Sequence, residues 1–105
     1  MIPFGPIALG SLSAPGALSS ASVQAAADQL PWAFKLALQV YGTFTGSYII
    51  ETSLDGTNWS TAVTASTTAG MFDLVSPTIG VRVTASAMSA GTLYAQIGGL
   101  DARGS

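Results

Sequence analysis

The chain is 105 residues long and only 8% charged, with three basic and five acidic residues, a net charge of −2, and neither cysteine nor histidine. That composition excludes disulfides, thiolate metal centres and histidine-based acid–base chemistry. The three scattered cations, Lys35, Arg82 and Arg103, offer no footprint for a phosphate backbone, so nucleic acid is not an expected partner.

One domain is expected, long enough to bury roughly 60–70% of the surface its unfolded chain exposes. An ordinary soluble domain is about 25% charged. A free monomer with so few charges is poorly protected from self-association, which favours an exterior covered by other subunits of a homo-oligomer. The competing reading is a small domain solubilised by its many Ser and Thr hydroxyls. Pro3, Gly5, Pro6 and Gly10 interrupt the leading apolar run, so neither a signal-peptide core nor a membrane span is expected there.

Residues 1–17 read as an extended N-terminal arm, and residues 18–105 as the domain proper. Three prolines and three glycines in the first 17 residues oppose both helix and ladder pairing. The arm nonetheless carries Ile2, Phe4, Ile7, Leu9 and Leu12 and no charge, which suits a tether between subunits. Packing on its own domain is the alternative. Residues 18–30 place Val23, Ala26, Ala27 and Leu30 at helical spacing ahead of Pro31, with Ser19 or Ser20 as caps. A strand through Ser19–Ala25 is preferred there because the remainder reads as β.

Trp32 to Tyr41 alternates large apolar residues (Trp32, Phe34, Leu36, Leu38, Val40) with mixed ones, the period of a half-buried strand. After Gly42–Gly46, Tyr48, Ile50, Thr52 and Leu54 alternate with Ser47, Ile49, Glu51 and Ser53. A hairpin pairing residues 41 and 47 would bring the two apolar faces together and set Lys35 near Glu51 or Ser53. Asp55-Gly56 ends the second strand: glycine takes the positive φ such turns need, and the Asp carboxylate accepts from nearby backbone N–H groups. Trp59 follows at a distance that lets its ring fold back over the turn. Ser53, Asp55, Gly56 and Trp59 are therefore assigned as a structural turn.

Further strands are expected at Trp59–Val63, at Met71–Val75 with Phe72 and Leu74 inward, at Ile79–Ser86, and at Thr92–Ile97. Ala65–Gly70 and Ala87–Gly91 read as connections, Pro77 as a break, and Gly98-Gly99 as the end of the domain. Roughly six or seven short strands with turn signals between them indicate an all-β chain, a single β-sandwich or jelly-roll-like domain.

The run Val40-x-Gly-Thr-Phe-x-Gly-Ser47, then Glu51-x-Ser-x-Asp-Gly-x-x-Trp59, Gly80-Val-Arg-Val83 and Gly91-Thr-Leu93, resembles small β-sandwich modules of tailed-bacteriophage virion proteins. Such modules occur in head-decoration (cement) proteins and in tail or fibre components. The resemblance covers residues 32–97 and implies a non-enzymatic virion part that contacts copies of itself, as a trimer in decoration proteins, and the major capsid protein or another virion protein. It also implies assembly in the host cytoplasm. The alternative it allows is a carbohydrate- or receptor-binding module of a fibre, with Trp59, Tyr41, Tyr48 or Tyr94 as stacking platforms. Ser53-Leu-Asp-Gly-Thr-Asn-Trp59 is also similar to the Asp-box hairpin of sialidase-like propellers, one residue short and present once.

No catalytic constellation is expected. A Ser–Lys dyad would fall on Lys35, which sits on an apolar strand among alanines. Glu51 and Asp55, four apart on an extended strand, lie about 13 Å from one another, beyond the roughly 5–10 Å that glycoside hydrolysis needs. Asp55 and Asn58 provide two oxygens where calcium takes about six to eight. No cofactor or metal is therefore expected.

Overall fold

The structure, a computed structural model, describes residues 2–74 and 78–101. They form eight strands: β1 Ile2–Leu12, β2 Gly16–Ser19, β3 Ala33–Tyr41, β4 Phe44–Ser53, β5 Ser60–Ser66, β6 Gly70–Leu74, β7 Gly80–Gly91 and β8 Leu93–Asp101. Two antiparallel four-stranded sheets pack face to face, in the orders β1-β8-β3-β6 and β2-β7-β4-β5. This is a β-sandwich with jelly-roll strand order, in which pairs 1–8, 2–7, 3–6 and 4–5 are each hydrogen-bonded.

The alternating residues of the sequence supply the core. Leu36, Leu38 and Val40 of β3 and Leu93, Ala95 and Ile97 of β8 face Tyr48 and Ile50 of β4 and Val81, Val83 and Ala85 of β7, all buried. The connection from β2 to β3 adds Ala26 and Leu30 to this cluster. It is a 3₁₀ turn at Ser20–Ser22 followed by a helix, α1, at Gln24–Gln29. The helical spacing, not the preferred strand, governs this stretch. Ser19 caps it by accepting from the Ala21 N–H, and the buried Ser20 hydroxyl accepts from the Val81 N–H at 2.9 Å.

Three further expectations are corrected. The stretch expected as an arm is extended, but residues 2–12 are an edge strand of the first sheet, laddered to β8 from Ile2↔Asp101 to Leu12↔Leu93. Leu9 is buried, and Phe4, Ile7 and Leu12 pack against the core, so four of the five candidate tether side chains belong to their own sandwich. Pro3 and Pro6 are tolerated because an edge strand has one free side, and Pro6 falls in a bulge between Phe4 and Ile7. Second, β3 and β4 do not form a hairpin. They lie in different sheets, so their apolar faces meet across the core, while Glu51 pairs with Arg82 of β7 and not with Lys35. Third, Ala87–Gly91 and Gly98-Gly99 continue β7 and β8 as strand. The expected strand end at Val75 and break at Pro77 lie outside the described residues.

Candidate functional site

The turn after β4 is built from side-chain hydrogen bonds to its own backbone. Ser53 Oγ accepts from the N–H groups of Asp55 (3.2 Å) and Gly56 (2.7 Å) and donates to Asp55 Oδ1 at 3.0 Å. Asp55 Oδ1 also accepts from the N–H groups of Thr57 and Asn58, both at 2.8 Å, and Oδ2 from Asn58 Nδ2 at 2.7 Å. These donors, the backbone N–H of Asn58 foremost, hold the Asp55 carboxyl far below the usual carboxylate range. Gly56 takes φ +78 at the tip. Buried Thr78 ties the turn to the start of β7, its hydroxyl donating to the Ser53 carbonyl at 3.0 Å. Both carboxylate oxygens beside the open cleft at this turn are engaged by protein donors.

Trp59, expected to fold its ring over this turn, is instead found against the start of β7. Its ring sits against Gly80, where an added Cβ would approach Cη2 to 2.9 Å, and carries the Arg82 guanidinium 4.3 Å above its centroid. Arg82 in turn donates from Nε to Glu51 Oε1 (3.1 Å) and pairs through Nη2 with Oε2 at 3.0 Å. Thr84 Oγ1 adds a third donor to Glu51. The hydrogen bond from Arg82 is the main reason the Glu51 carboxyl lies below its ordinary pKa, against a smaller opposing effect of burial. This chain of contacts is invisible in the sequence, because it depends on β4 lying beside β7.

Of the four candidate platform rings, the structure buries one and partly covers another. Tyr48 is fully buried, with its hydroxyl donating to the Thr68 carbonyl at 2.6 Å, and Trp59 is half-buried with one face taken by Arg82. Tyr41 and Tyr94 remain exposed. They are register partners on β3 and β8 and stack with centroids 5.3 Å apart and planes 17° apart. Next along the same outward face come Gln39 and Gln96, joined by a 2.7 Å hydrogen bond, and then Ala37 opposite Gly98. The small residues leave a groove of about 340 Å³, walled by Pro6 on one side and Met71 on the other.

A second exposed feature gathers at the end of the sandwich where β3 and β7 begin. Trp32 is 50% and Phe34 53% exposed, and Ile2 lies in the same part of the first sheet, since Ile2 pairs with Asp101 and Asp101 with Ala33. Leu54 and Ile79 are exposed at the corresponding end of the second sheet. Phe34 was expected inward. A bulge between Ala33 and Lys35 leaves it opposite no residue of β8 and turns it to solvent. Among the described residues no group of three His, Cys, Asp or Glu side chains is placed to hold a metal, and no helix is long and apolar enough to cross a membrane.

No protein-family model, curated protein or solved structure matches the chain.

Proposed function

We propose that this chain is a non-enzymatic structural protein of a bacteriophage virion, foremost a capsid decoration (cement) protein that stabilises the head through contacts between subunits. The observation that carries this reading is the group of exposed apolar side chains at one end of the sandwich (Ile2, Trp32, Phe34, Leu54 and Ile79) in a chain with only 8% charged residues. Large apolar groups gathered on a nearly uncharged surface mark a contact surface, because water contact there is costly and few like charges oppose association. The partners would be further copies of the chain, as a trimer, and the major capsid protein. The strand order adds support by analogy alone, since jelly rolls recur in viral capsid and lectin domains and fold does not fix function. Electron microscopy of the parent particle with and without the chain tests the proposal. Density at capsomer junctions and a capsid more resistant to heat or chelation when the chain is present support it. A solitary monomer that leaves the capsid unchanged overturns it.

A second reading, a carbohydrate- or receptor-binding module of a tail fibre, is favoured by one observation, the exposed Tyr41–Tyr94 pair beside a groove.

A further inference from the structure

The outward face of the first sheet is a grid whose chemistry changes by rows. Tyr41 and Tyr94 form the top row, Gln39 and Gln96 the second with Met71 beside Gln39, and Ala37 and Gly98 the third with Asp73 beside Ala37. The third row is the floor of the groove. Its depth depends on absent side chains: a Cβ on Gly98 would stand 3.1 Å from the Phe4 carbonyl oxygen and 3.9 Å from the Cα atoms of Gly5 and Pro6, filling the space between the strands. The volume, about 340 Å³, falls at the lower end of small-ligand clefts, which run from about 300 to 1,000 Å³.

The Gln pair gives the groove its polar specificity. Gln96 Nε2 donates to Gln39 Oε1. Each amide has two donors and an acceptor, so this bond leaves the Gln39 amide N–H groups and the Gln96 carbonyl oxygen unspent. A donor and an acceptor are thus presented side by side at the rim of an apolar floor of Ala37 and Gly98, with Asp73 at its border. Neighbouring hydroxyls of a sugar offer the complementary pair, and the C–H face of a pyranose ring suits the surfaces of Ala37, Gly98, Pro6 and Met71. None of the residues lining the groove is ionisable, and the exposed Asp73 borders it beside Ala37, so an anionic ligand would lose hydration and meet a like charge.

We infer that this groove is a subsite for a neutral sugar unit, held by Gln39 and Gln96 over the Ala37–Gly98 floor, with the Tyr41–Tyr94 pair at the border where an oligosaccharide would extend. It deepens the second reading above and moves the site from the Trp59 turn to the outward face of the first sheet. Because it does not involve the apolar end of the sandwich, it holds or fails separately from the decoration role. A single shallow site binds weakly, and many copies on one particle would raise the effective strength through avidity.

The test is a titration of the isotopically labelled full chain with maltotriose, cellotriose, mannotriose and chitotriose, and with a sialylated trisaccharide, followed by NMR. Expected are shifts of the Gln39 and Gln96 side-chain amides and of the backbone over residues 94–98 with at least one neutral sugar. The sialylated one should bind no better. Gln96→Ala should weaken that binding about tenfold, the worth of one lost hydrogen bond. Ala37→Leu, which fills the floor without removing a polar group, should abolish it while the thermal melt stays intact. Silence with all four neutral sugars overturns the inference, as does binding that survives both substitutions. The capsid-stability assay on the same variants is expected to be unchanged. A loss there with sugar binding retained would count against the decoration reading's confinement to the apolar end, and a loss of sugar binding alone would leave that reading standing.

Discussion

Removing the hydroxyl of Tyr48 probes how the two sheets are joined. The ring is fully buried, edge-on to Phe44 at 6.0 Å and to Phe72 at 6.3 Å between centroids. Its hydroxyl donates at 2.6 Å to the Thr68 carbonyl, in the connection that carries the chain from β5 in one sheet to β6 in the other. In Tyr48→Phe the packing is kept and the bond is lost. Thr68 is exposed, and Ser66 Oγ also donates to its carbonyl at 3.3 Å, so the abandoned oxygen is not left without partners. The cost is then the net worth of one hydrogen bond, about 1 kcal/mol, or a fall in Tm of about 4–8 °C for a domain of this class. Tyr48→Ala removes the ring as well and should cost about 3–5 kcal/mol, a large part of the roughly 5–15 kcal/mol that stabilises a domain. Urea unfolding with a shared slope measures both. Hydrogen exchange should report faster opening at residues 67–70 in Tyr48→Phe. An unchanged midpoint in Tyr48→Phe, or a loss equal to that of Tyr48→Ala, would refute this reasoning.

Deleting residues 2–12 should unfold the chain or strip most of its cooperativity, because it removes β1 and exposes the β8 edge together with the contacts of Leu9; circular dichroism and a thermal melt decide, and a well-folded deletion that merely fails to assemble would restore the tether. Phe34→Ser should change stability by no more than about 0.5 kcal/mol, as for an exposed site, while weakening self-association or particle binding in sedimentation experiments; undiminished binding would remove Phe34 from the interface. Stability should fall on acidification. Folding lowers the pKa of both Glu51 and Asp55, so their contribution is complete above the usual carboxylate range and is lost as pH drops through the lowered values. Glu51→Gln should flatten part of that dependence in melts taken across acidic pH, and an identical profile in the variant would contradict the Arg82 pairing.

The sequence made the central strands plain and the edges obscure. Leu36-Leu38-Val40, Val81-Val83-Ala85 and Leu93-Ala95-Ile97 alternate because each strand has one face in the core, and period two survives whatever the neighbours are. β1 was hidden by Pro3, Gly5, Pro6 and Gly10, which argue against a central strand but are admissible on an edge that carries bulges. The mistaken β3–β4 hairpin has a different cause. Parity brings Leu38 and Tyr48 to the same side whether their strands share a sheet or face one another across the core, so alternation alone cannot choose. The Ser53–Asp55 turn was legible because its hydrogen bonds are local. The Trp59–Arg82–Glu51 contacts, the outward Phe34 and the Gln39–Gln96 pair were not, since each depends on strand register or on a bulge.

The strand order has a consequence for how the chain finds its shape. Pairing 1–8, 2–7, 3–6 and 4–5 makes the molecule a long double ribbon rolled upon itself, and the Ser53–Trp59 turn is the fold at the ribbon's tip. Among the described strands only β4 and β5 are both consecutive in the chain and adjacent in a sheet, so only there does closing a short loop bring immediate pairing. Every other pair waits for a larger loop to close. A Gly56→Val change at that tip should therefore slow refolding more than it hastens unfolding. Equal shifts in both arms of the chevron would mean that the ribbon starts to zip elsewhere.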